Sequence, residues 1–279
     1  MQGQRVGPGQ EGRQDRREAR PQDRQDRGDQ RLQRREQRPE DRQQRQEQRQ
    51  DRANEVRQEW RDQWQDIQDD LFEPGWRLEY PELAHGYFHY NHPNANHWWA
   101  WASVGAVTNW FARGSSGGEP IYYDYGENVT YENETVYIDD QPVASADAYA
   151  QQAAEIANTP PPPNKDPEKV EWMPLGVFAV SASEDEKSPT RVIQLAVSKE
   201  GVIGGTFFNK QSGTALPVQG SVDRKTQRAA WTIGDNKNTV VETGVYNLTK
   251  DEADVLVHFG KEKTQSFLIV RLPEQEHQP

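Results

Sequence analysis

The histidines are the first residues of this sequence that could do chemistry, because most of them lie close together. Four of the six are His85, His89, His92 and His97. The spacing of four between His85 and His89 would put both imidazoles on one face of a helix, as a metal site requires. Gly86 and Pro93 instead predict irregular chain, and no glutamate completes a His-Glu-x-x-His frame. We therefore expect solvated or aromatic-stacked imidazoles, with metal binding by these four residues as the alternative.

The other reactive side chains lack the partners that catalysis needs. His258 alternates with apolar residues on a predicted strand, and we interpret it as a surface or internally bonded histidine rather than a general base. The acidic runs Asp139-Asp140 and Glu184-Asp185-Glu186 fall in predicted turns, where solvated charge is the ordinary explanation. The sequence has no cysteine and no Gly-x-Ser-x-Gly elbow. It therefore predicts no catalytic residue, no cofactor and a protein that is not an enzyme.

An antiparallel β domain at residues 170–273 must position any site, because this region alternates apolar and polar residues with the period of two that strands require. Short Gly- and Asn-containing turns join most of the runs and are too short for crossover helices, which predicts a meander. Thr249-Lys250-Asp251-Glu252 has the pattern of a capping box that opens one helical turn before the seventh strand. The meander is stable as a small closed barrel, which we favour, or as a sandwich of two sheets. The predicted strands are Leu175–Ala182, Arg191–Ser198, Val202–Asn209, Ala215–Val222, Arg228–Ile233, Thr239–Tyr246, Val255–Phe259 and Gln265–Leu272.

Ligand binding is an alternative role for this domain. Trp172, Phe207 and Trp231 are the aromatic residues that an open barrel mouth would offer to a small apolar or carbohydrate ligand. The hypothesis requires a hollow barrel. If Ile193, Leu195 and Trp231 fill the interior, the cavity is lost.

The chain before the β domain changes composition in steps. Residues 1–52 form a low-complexity tail of Arg, Gln, Asp and Glu that is too polar to build a core, so we expect it to be disordered or transiently helical. Contact of this tail with an anionic surface is the alternative. An amphipathic helix is predicted at 53–73, because apolar residues recur there at helical spacing: Val56, Trp60, Trp64, Ile67 and Leu71. Residues 74–159 are an aromatic-rich α+β region, residues 160–169 a Pro-rich linker, and residues 274–279 a polar tail.

The aromatic-rich region holds the residues best suited to contact a partner. Its apolar segment from His97 to Ala112 is too short to cross a bilayer and predicts a buried or interfacial helix. Packing against the preceding amphipathic helix is the simplest role. The alternative is contact with a partner or a surface through Trp98, Trp99, Trp101, Trp110 and Phe111. Further along, Ile121–Tyr125, Val129–Tyr131 and Val136–Ile138 are predicted strands, and Ser145 is the predicted cap of a helix that runs through Ala157.

Charge and hydropathy argue against two classes of protein. The net charge is −12, and residues 51–164 alone carry 19 acids against 5 Arg, which is −14. This acidity argues against a chain that binds nucleic acid along its whole length. No apolar run of about 18 residues occurs, so no transmembrane helix is predicted. The first residues lack the apolar stretch of a signal peptide.

Several strings in the sequence carry a family resemblance. They are Tyr122-Tyr123-Asp124-Tyr125-Gly126-Glu127-Asn128-Val129, Gln141-Pro142-Val143, Trp172-Met173-Pro174-Leu175-Gly176-Val177-Phe178 and Ala229-Ala230-Trp231-Thr232-Ile233-Gly234-Asp235-Asn236-Lys237. Across residues 98–272 the chain resembles bacterial cell-surface proteins labelled mu-protocadherin-like. The resemblance implies an extracytoplasmic protein of the periplasm, cell envelope or medium, and it brings no catalytic residues. We therefore expect a non-enzymatic structural or interaction protein whose partner is envelope material or another protein.

Overall fold

The computed structural model describes residues 43–60, 102–112, 119–160, 171–182, 186, 188–260 and 263–272. The chain divides into two compact units, Met1–Gln48 and Arg49–Pro279. In the first unit residues 43–48 are helical, and Gln43 donates a hydrogen bond to Glu47, one turn later, at 3.0 Å. The remaining structure belongs to the second unit. The second half of the predicted amphipathic helix, most of the Pro-rich linker and the polar tail lie outside the described residues.

The described residues form three α-helical segments, one 3-10 turn and two sheets. The helices are α1 (residues 43–60), α2 (Val104–Ala112) and α3 (Ala146–Ala157). The small sheet has the order β1 (Val129–Glu132), β2 (Thr135–Ile138) and β3 (Gln141–Ser145). The large sheet contains β4 (Trp172–Ser181), β5 (Arg191–Ser198), β6 (Val202–Asn209), β7 (Thr214–Asp223), β8 (Arg228–Ile233), β9 (Asn236–Gly244), β10 (Glu252–Phe259) and β11 (Lys263–Arg271).

The eight strands of the large sheet form a closed antiparallel barrel, as we predicted. Each strand pairs with the next along the chain, and β11 pairs with β4 to complete the ring. Closure leaves no edge strand in this sheet, which is why a barrel is favoured over an open meander. Strands β5, β6 and β8 have the bounds that the alternation predicted.

Alternation along the strands places every second side chain inside the barrel. These inward residues form one apolar cluster that includes Leu175, Ile193, Leu195 and Trp231, each at most 2% exposed. Gly220 pairs with Trp231, and a Cβ at Gly220 would lie 2.7 Å from the Cβ of that tryptophan. The same Cβ would lie 2.1 Å from the carbonyl oxygen of Ala230, so the glycine allows the backbones of β7 and β8 to approach closely at this pair. At this level the barrel is a packed core.

Two helices cover the outer face of the barrel. Ala53, Val56 and Trp60 of α1, spaced by three and four residues, are buried against outward-facing residues of β4, β5 and β11. The α3 helix lies over β7, β8 and β9 and contributes Ala153 and Ala157 to that contact. Apolar residues are therefore needed on both faces of these strands.

The strand predicted at 121–125 is wrong. This segment forms no strand, and Tyr125 alone makes a bridge with Val129. The side-chain amide of Asn247 accepts a hydrogen bond from the N–H of Tyr123 at 2.9 Å and donates one to its carbonyl oxygen at 3.0 Å. A side chain thus supplies the bonds that a neighbouring strand would have supplied. The sheet forms instead from β1, β2 and β3.

The helix predicted to follow Ser145 is confirmed. It begins at Ala146, and the Ser145 hydroxyl accepts a hydrogen bond from the N–H of Ala148 at 3.2 Å. The helical turn predicted from the capping box is wrong in its position. A 3-10 turn covers Asn247–Thr249 without a side-chain cap, and Glu252 begins β10. Glu252 bonds to Arg57 of α1 at 2.5 Å, which explains why it does not turn back to cap the chain.

Two predicted boundaries also differ from the structure. The α1 helix includes residues 43–52, which we assigned to the tail, because Gln, Glu and Arg favour helices and Arg49 and Arg52 find partners on the barrel. The described part of the region at 74–159 is not separate from the β domain, because Ala102 and Val107 belong to the interior cluster of the barrel. Consequently α1 and α2, which we expected to pack together, lie in different apolar clusters.

Candidate functional site

The two ends of the barrel are built differently. In an up-and-down barrel, successive connections alternate between the ends. The β5–β6, β7–β8 and β9–β10 connections lie at one end, which we call the closed end. The β4–β5, β6–β7, β8–β9 and β10–β11 connections lie at the other, which we call the open end.

The α2 helix covers the closed end. Val107 is fully buried in the interior cluster. The rings of Trp110 and Phe111 contact the connections around it: the Lys199 ammonium lies 5.3 Å from the Trp110 centroid, and the Arg224 guanidinium lies 5.5 Å from that of Phe111. These cation–π contacts fix the helix across the ends of two hairpins.

Arg271, at the end of β11, joins several chain segments at the closed end. Its side chain is buried, donates hydrogen bonds to the carbonyl oxygens of Leu175, at 2.9 Å, and Leu248, and lies 4.7 Å from the ring centroid of Phe178. Gly176 makes room for the guanidinium, since a Cβ there would lie 2.2 Å from Nη1 of Arg271. Its φ of +138° also favours glycine. The closed end is therefore held by specific polar bonds as well as by packing.

The open end is lined by apolar side chains that remain partly exposed. Alternation turns six of them inward in the part of each strand nearest this end: Val180, Phe207, Leu216, Ile233, Phe259 and Phe267. We call these six the mouth ring. Five are half-buried, and Phe259 is 38% exposed. Two positions further in, Val218, Trp231 and Val257 are buried. Four members of the ring, Val180, Phe207, Ile233 and Phe267, pack on this interior cluster.

Two lysines at this end, Lys237 of β9 and Lys263 of β11, make no ion pair within the described residues. The Lys263 ammonium lies 5.5 Å from the ring centroid of Phe259 in the mouth ring, and it makes no ion pair in that part of the chain. Arg191, on the neighbouring rim, is bound by both carboxylate oxygens of Glu186 at 2.5 Å. Among the described residues, the positive charge of Arg191 is therefore compensated, whereas those of Lys237 and Lys263 are not.

A buried charge cluster lies on the outer wall, between the strands β8 to β10 and α3. One carboxylate oxygen of Glu242 accepts hydrogen bonds from Nε of Arg228 at 3.1 Å and from a second guanidinium nitrogen. The other oxygen lies 3.1 Å from Nε2 of His258. Arg228 also donates to Gln152 at 3.0 Å and to the carbonyl oxygen of Tyr149 at 3.1 Å. The guanidinium thus connects α3 to the barrel.

This cluster places a carboxylate, an imidazole and a hydroxyl in series, because Nδ1 of His258 lies 2.9 Å from Oγ1 of Thr264. Such a series activates nucleophiles in hydrolases. Here the carboxylate is neutralised by Arg228, and Thr264 is the residue directly opposite His258 on the paired strand. Both imidazole nitrogens are thus held by neighbours within the sheet. We interpret the series as structural. The sequence left two interpretations of His258, a surface residue or an internally bonded strand residue, and its 2% exposure fits the second.

Burial controls protonation around the charge cluster. Burial acts to lower the pKa of Arg228, but the Glu242 carboxylate outweighs it and the pKa is raised, so the guanidinium is charged. Burial raises the pKa of Tyr123 to about 12. It also raises the pKa values of Tyr125 and Tyr149 well above their ordinary range. These phenols are therefore neutral at physiological pH and cannot serve as bases there.

The three residues predicted to line a ligand site do not come together. Trp172 packs in the outer cluster beneath α1, Trp231 is buried in the interior, and Phe207 belongs to the mouth ring. Because Ile193 and Leu195 are buried with Trp231, a deep hollow barrel is excluded. The sequence does contain a signal for the mouth ring: its members are the last inward-facing apolar residues before, or the first after, the turns at one end. These residues can be recognised in the sequence only when the register and the direction of each strand are known.

The remaining predicted site residues are only partly described. His85, His89, His92, His97, Trp98, Trp99 and Trp101 lie outside the described residues. Trp110 and Phe111, predicted to contact a partner, are half-buried against the closed end of their own chain. In the described part of the chain, no three His, Asp or Glu side chains are grouped to hold a metal ion. No helix in that part is long and apolar enough to cross a membrane.

Comparison of this chain with protein-family models, with curated proteins and with solved structures found no match in any of the three. Functional inference therefore depends on the geometry of the barrel and on the sequence resemblance given above.

Proposed function

We propose that the protein is a non-enzymatic structural or interaction protein of the cell envelope, with the barrel as a rigid scaffold. The observation that best supports this proposal is that the buried reactive side chains bond to one another. Glu242, Arg228 and His258 are almost completely buried and bond to one another. A catalytic site instead needs a reactive group that a substrate can reach. The packed interior is consistent with the same role.

The contacts of α1 support the scaffold role. Trp60 is buried against the barrel, and two arginines on the same helix pair with acids of β10: Arg49 with Asp254 at 2.7 Å and Arg57 with Glu252 at 2.5 Å. Apolar and charged contacts together hold this helix in one register on the barrel. The envelope location is inferred from the resemblance of the aromatic and barrel strings to cell-surface proteins.

Co-sedimentation with isolated bacterial envelopes tests this proposal. The full chain is compared with a chain that lacks residues 1–42, at low and at high salt. We expect the full chain to sediment with envelopes and the shortened chain to be retained several-fold less, because the Arg-rich tail favours anionic surfaces and salt screens that attraction. Equal urea midpoints would show that the deletion leaves the barrel intact. A full chain that stays in the supernatant would contradict the proposal.

A turnover assay tests the non-enzymatic part. The full chain and the variants His258→Gln and Thr264→Ala are incubated with generic nitrophenyl esters, glycosides and phosphates. We expect no turnover above buffer by any of the three proteins. Turnover by the unmodified chain that both substitutions remove would show that the buried series is catalytic.

A further inference from the structure

We propose that α1 is exchanged between two copies of this chain, so that residues 49–60 of each copy dock on the outer face of the other copy's barrel. The partner is a second copy of the same chain, and the surface is the apolar outer face of β4, β5 and β11 that receives α1. This interaction goes beyond the scaffold role and does not depend on the envelope location.

The barrel is complete without α1. Its eight strands pair into a closed ring, and the cluster that fills its interior contains no residue of α1. Within the described residues, no backbone hydrogen bond joins α1 to a strand. Among the described contacts the helix is therefore held by side chains, and its departure from the barrel breaks no strand pairing.

The apolar contact of α1 is confined to one stripe of the helix. Ala53, Val56 and Trp60 are at most 1% exposed and belong to one cluster with outward residues of β4, β5 and β11. Departure of the helix would expose part of this apolar face to water, which is unfavourable. The face is therefore stabilised by any α1 that docks on it, whether from the same chain or from another.

Charge complementarity sets which helix the face accepts. Arg49 pairs with Asp254 at 2.7 Å, and Arg57 pairs with Glu252 at 2.5 Å. In both pairs the cation lies on the helix and the acid lies on β10. A docking helix must therefore carry two arginines at this spacing beside its apolar stripe, and α1 of a second copy carries the same set.

The chain between α1 and the barrel is long enough to reach a neighbouring copy. Residues 61–101 join Trp60 of α1 to Ala102, which belongs to the interior cluster. A segment of about 40 residues can span at most about 140 Å, whereas β4, the strand Trp172–Ser181, is about 33 Å long. The contacts of α1 with the barrel are therefore compatible with docking in one chain and with docking between two.

Concentration decides between these two arrangements, because the same contacts form in each. Tethered partners typically act at an effective concentration of about 1 mM. Exchange between copies should therefore increase as the concentration of the chain approaches that value. Exchange of an identical element is a low-cost route to a dimer, and reciprocal exchange closes the pair.

Two charge-reversed variants of the full chain test the exchange. The helix variant carries Arg49→Glu and Arg57→Glu, and the barrel variant carries Glu252→Arg and Asp254→Arg. Docking within each variant is repulsive, but the helix of each is complementary to the barrel of the other. In sedimentation velocity at low concentration, the mixture should contain about tenfold or more dimer than either variant alone, as one-to-one pairs. A mixture that stays monomeric would overturn the proposal.

The matched control replaces the barrel variant by a chain with Asp51→Arg and Glu55→Arg. Both acids are exposed on α1, and their reversal changes the net charge by the same amount as in the barrel variant. If this control dimerises with the helix variant, net charge joins the chains and the proposal fails. Trp60→Ala, added to the barrel variant, should weaken the mixed dimer about a hundredfold or more, because it removes a buried anchor of the exchanged helix. A mixed dimer of unchanged affinity would show that α1 does not form the contact.

Energy transfer measures exchange with the charges of the docking face unchanged. The chain has no cysteine, so single introduced cysteines can carry the dyes. One pool carries a donor at Glu55→Cys, exposed on α1, and a second pool carries an acceptor at Asp251→Cys, whose backbone contacts Arg57. After the pools are mixed, transfer should appear and should increase with concentration up to about 1 mM. No transfer across this range would show that each α1 stays on its own barrel, and the proposal would be wrong.

Discussion

Replacement of Glu242 by Gln should be one of the most damaging single changes in the barrel. Glu242 is fully buried, and Arg228, at 3% exposure, has no other carboxylate within bonding distance among the described residues. Glutamine keeps the shape but removes the charge, which leaves a buried guanidinium without its counter-ion. Breaking a buried pair in this way costs about 3–5 kcal/mol. For a unit of this size the loss corresponds to a fall in Tm of about 6–20 °C.

Urea unfolding, followed by circular dichroism, measures this effect. Glu200→Gln is the matched control, because that glutamate is exposed on the β5–β6 connection, and its change should cost less than about 0.5 kcal/mol. The double variant Arg228→Met with Glu242→Gln should cost less than the sum of the two single changes, because no buried charge remains unpaired. The reasoning is refuted if Glu242→Gln unfolds within about 1 kcal/mol of the unmodified chain, or if the two single costs simply add.

Three further predictions concern the helix α1 and the buried phenols. Trp60→Ala should cost about 3–5 kcal/mol in urea unfolding, whereas the exposed Glu55→Ala on the same helix should cost little; equal costs would contradict the docking of α1. Burial raises the pKa of Asp254 and Arg49 opposes that rise, so Arg49→Ala should raise this pKa further. A carboxyl group whose pKa is raised by folding makes the folded protein less stable as pH rises, so the substitution should cost more free energy of unfolding at pH 7 than at pH 4. Equal costs at the two pH values in urea unfolding would argue against the pair. Tyr123 has a pKa of about 12 in the folded chain and about 10 in the unfolded chain. Its contribution to stability should therefore be complete below pH 10 and be lost as pH rises through 12. Absorbance of the phenolates measures this, and full ionisation near pH 10 in a chain that stays folded would contradict the raised pKa.

The barrel could be predicted from the sequence because local pattern and global fold agree in it. The run Arg191–Ser198 alternates apolar residues with a period of two, and the Lys199-Glu200-Gly201 turn then reverses the chain. Gly201 has φ +90°, which is the conformation that such a reversal requires. Where each strand carries its own signal and each connection is short, the meander follows without knowledge of distant contacts.

The charge cluster could not be predicted, because its members are 14 and 16 residues apart along the chain. Arg228, Glu242 and His258 each occupy an outward-facing position, which in a barrel normally means contact with water. They are buried only because α3 and the segment near Tyr125 cover this part of the wall. For the same reason the segment at 121–125 resembled a strand: its partner is the side chain of Asn247, more than a hundred residues away.

The two ends of the barrel differ in the contacts that stabilise them. Arg271, Val107 and the Trp110 ring seal one end with bonds and contacts that the unfolded chain lacks, and the outer wall is fixed by α1 and α3. None of these contacts depends on the mouth ring. Its half-buried side chains therefore forgo part of the burial that apolar residues gain on folding. Among the described residues, the mouth ring therefore contributes less to the stability of the barrel than the inward side chains at the end that α2 covers.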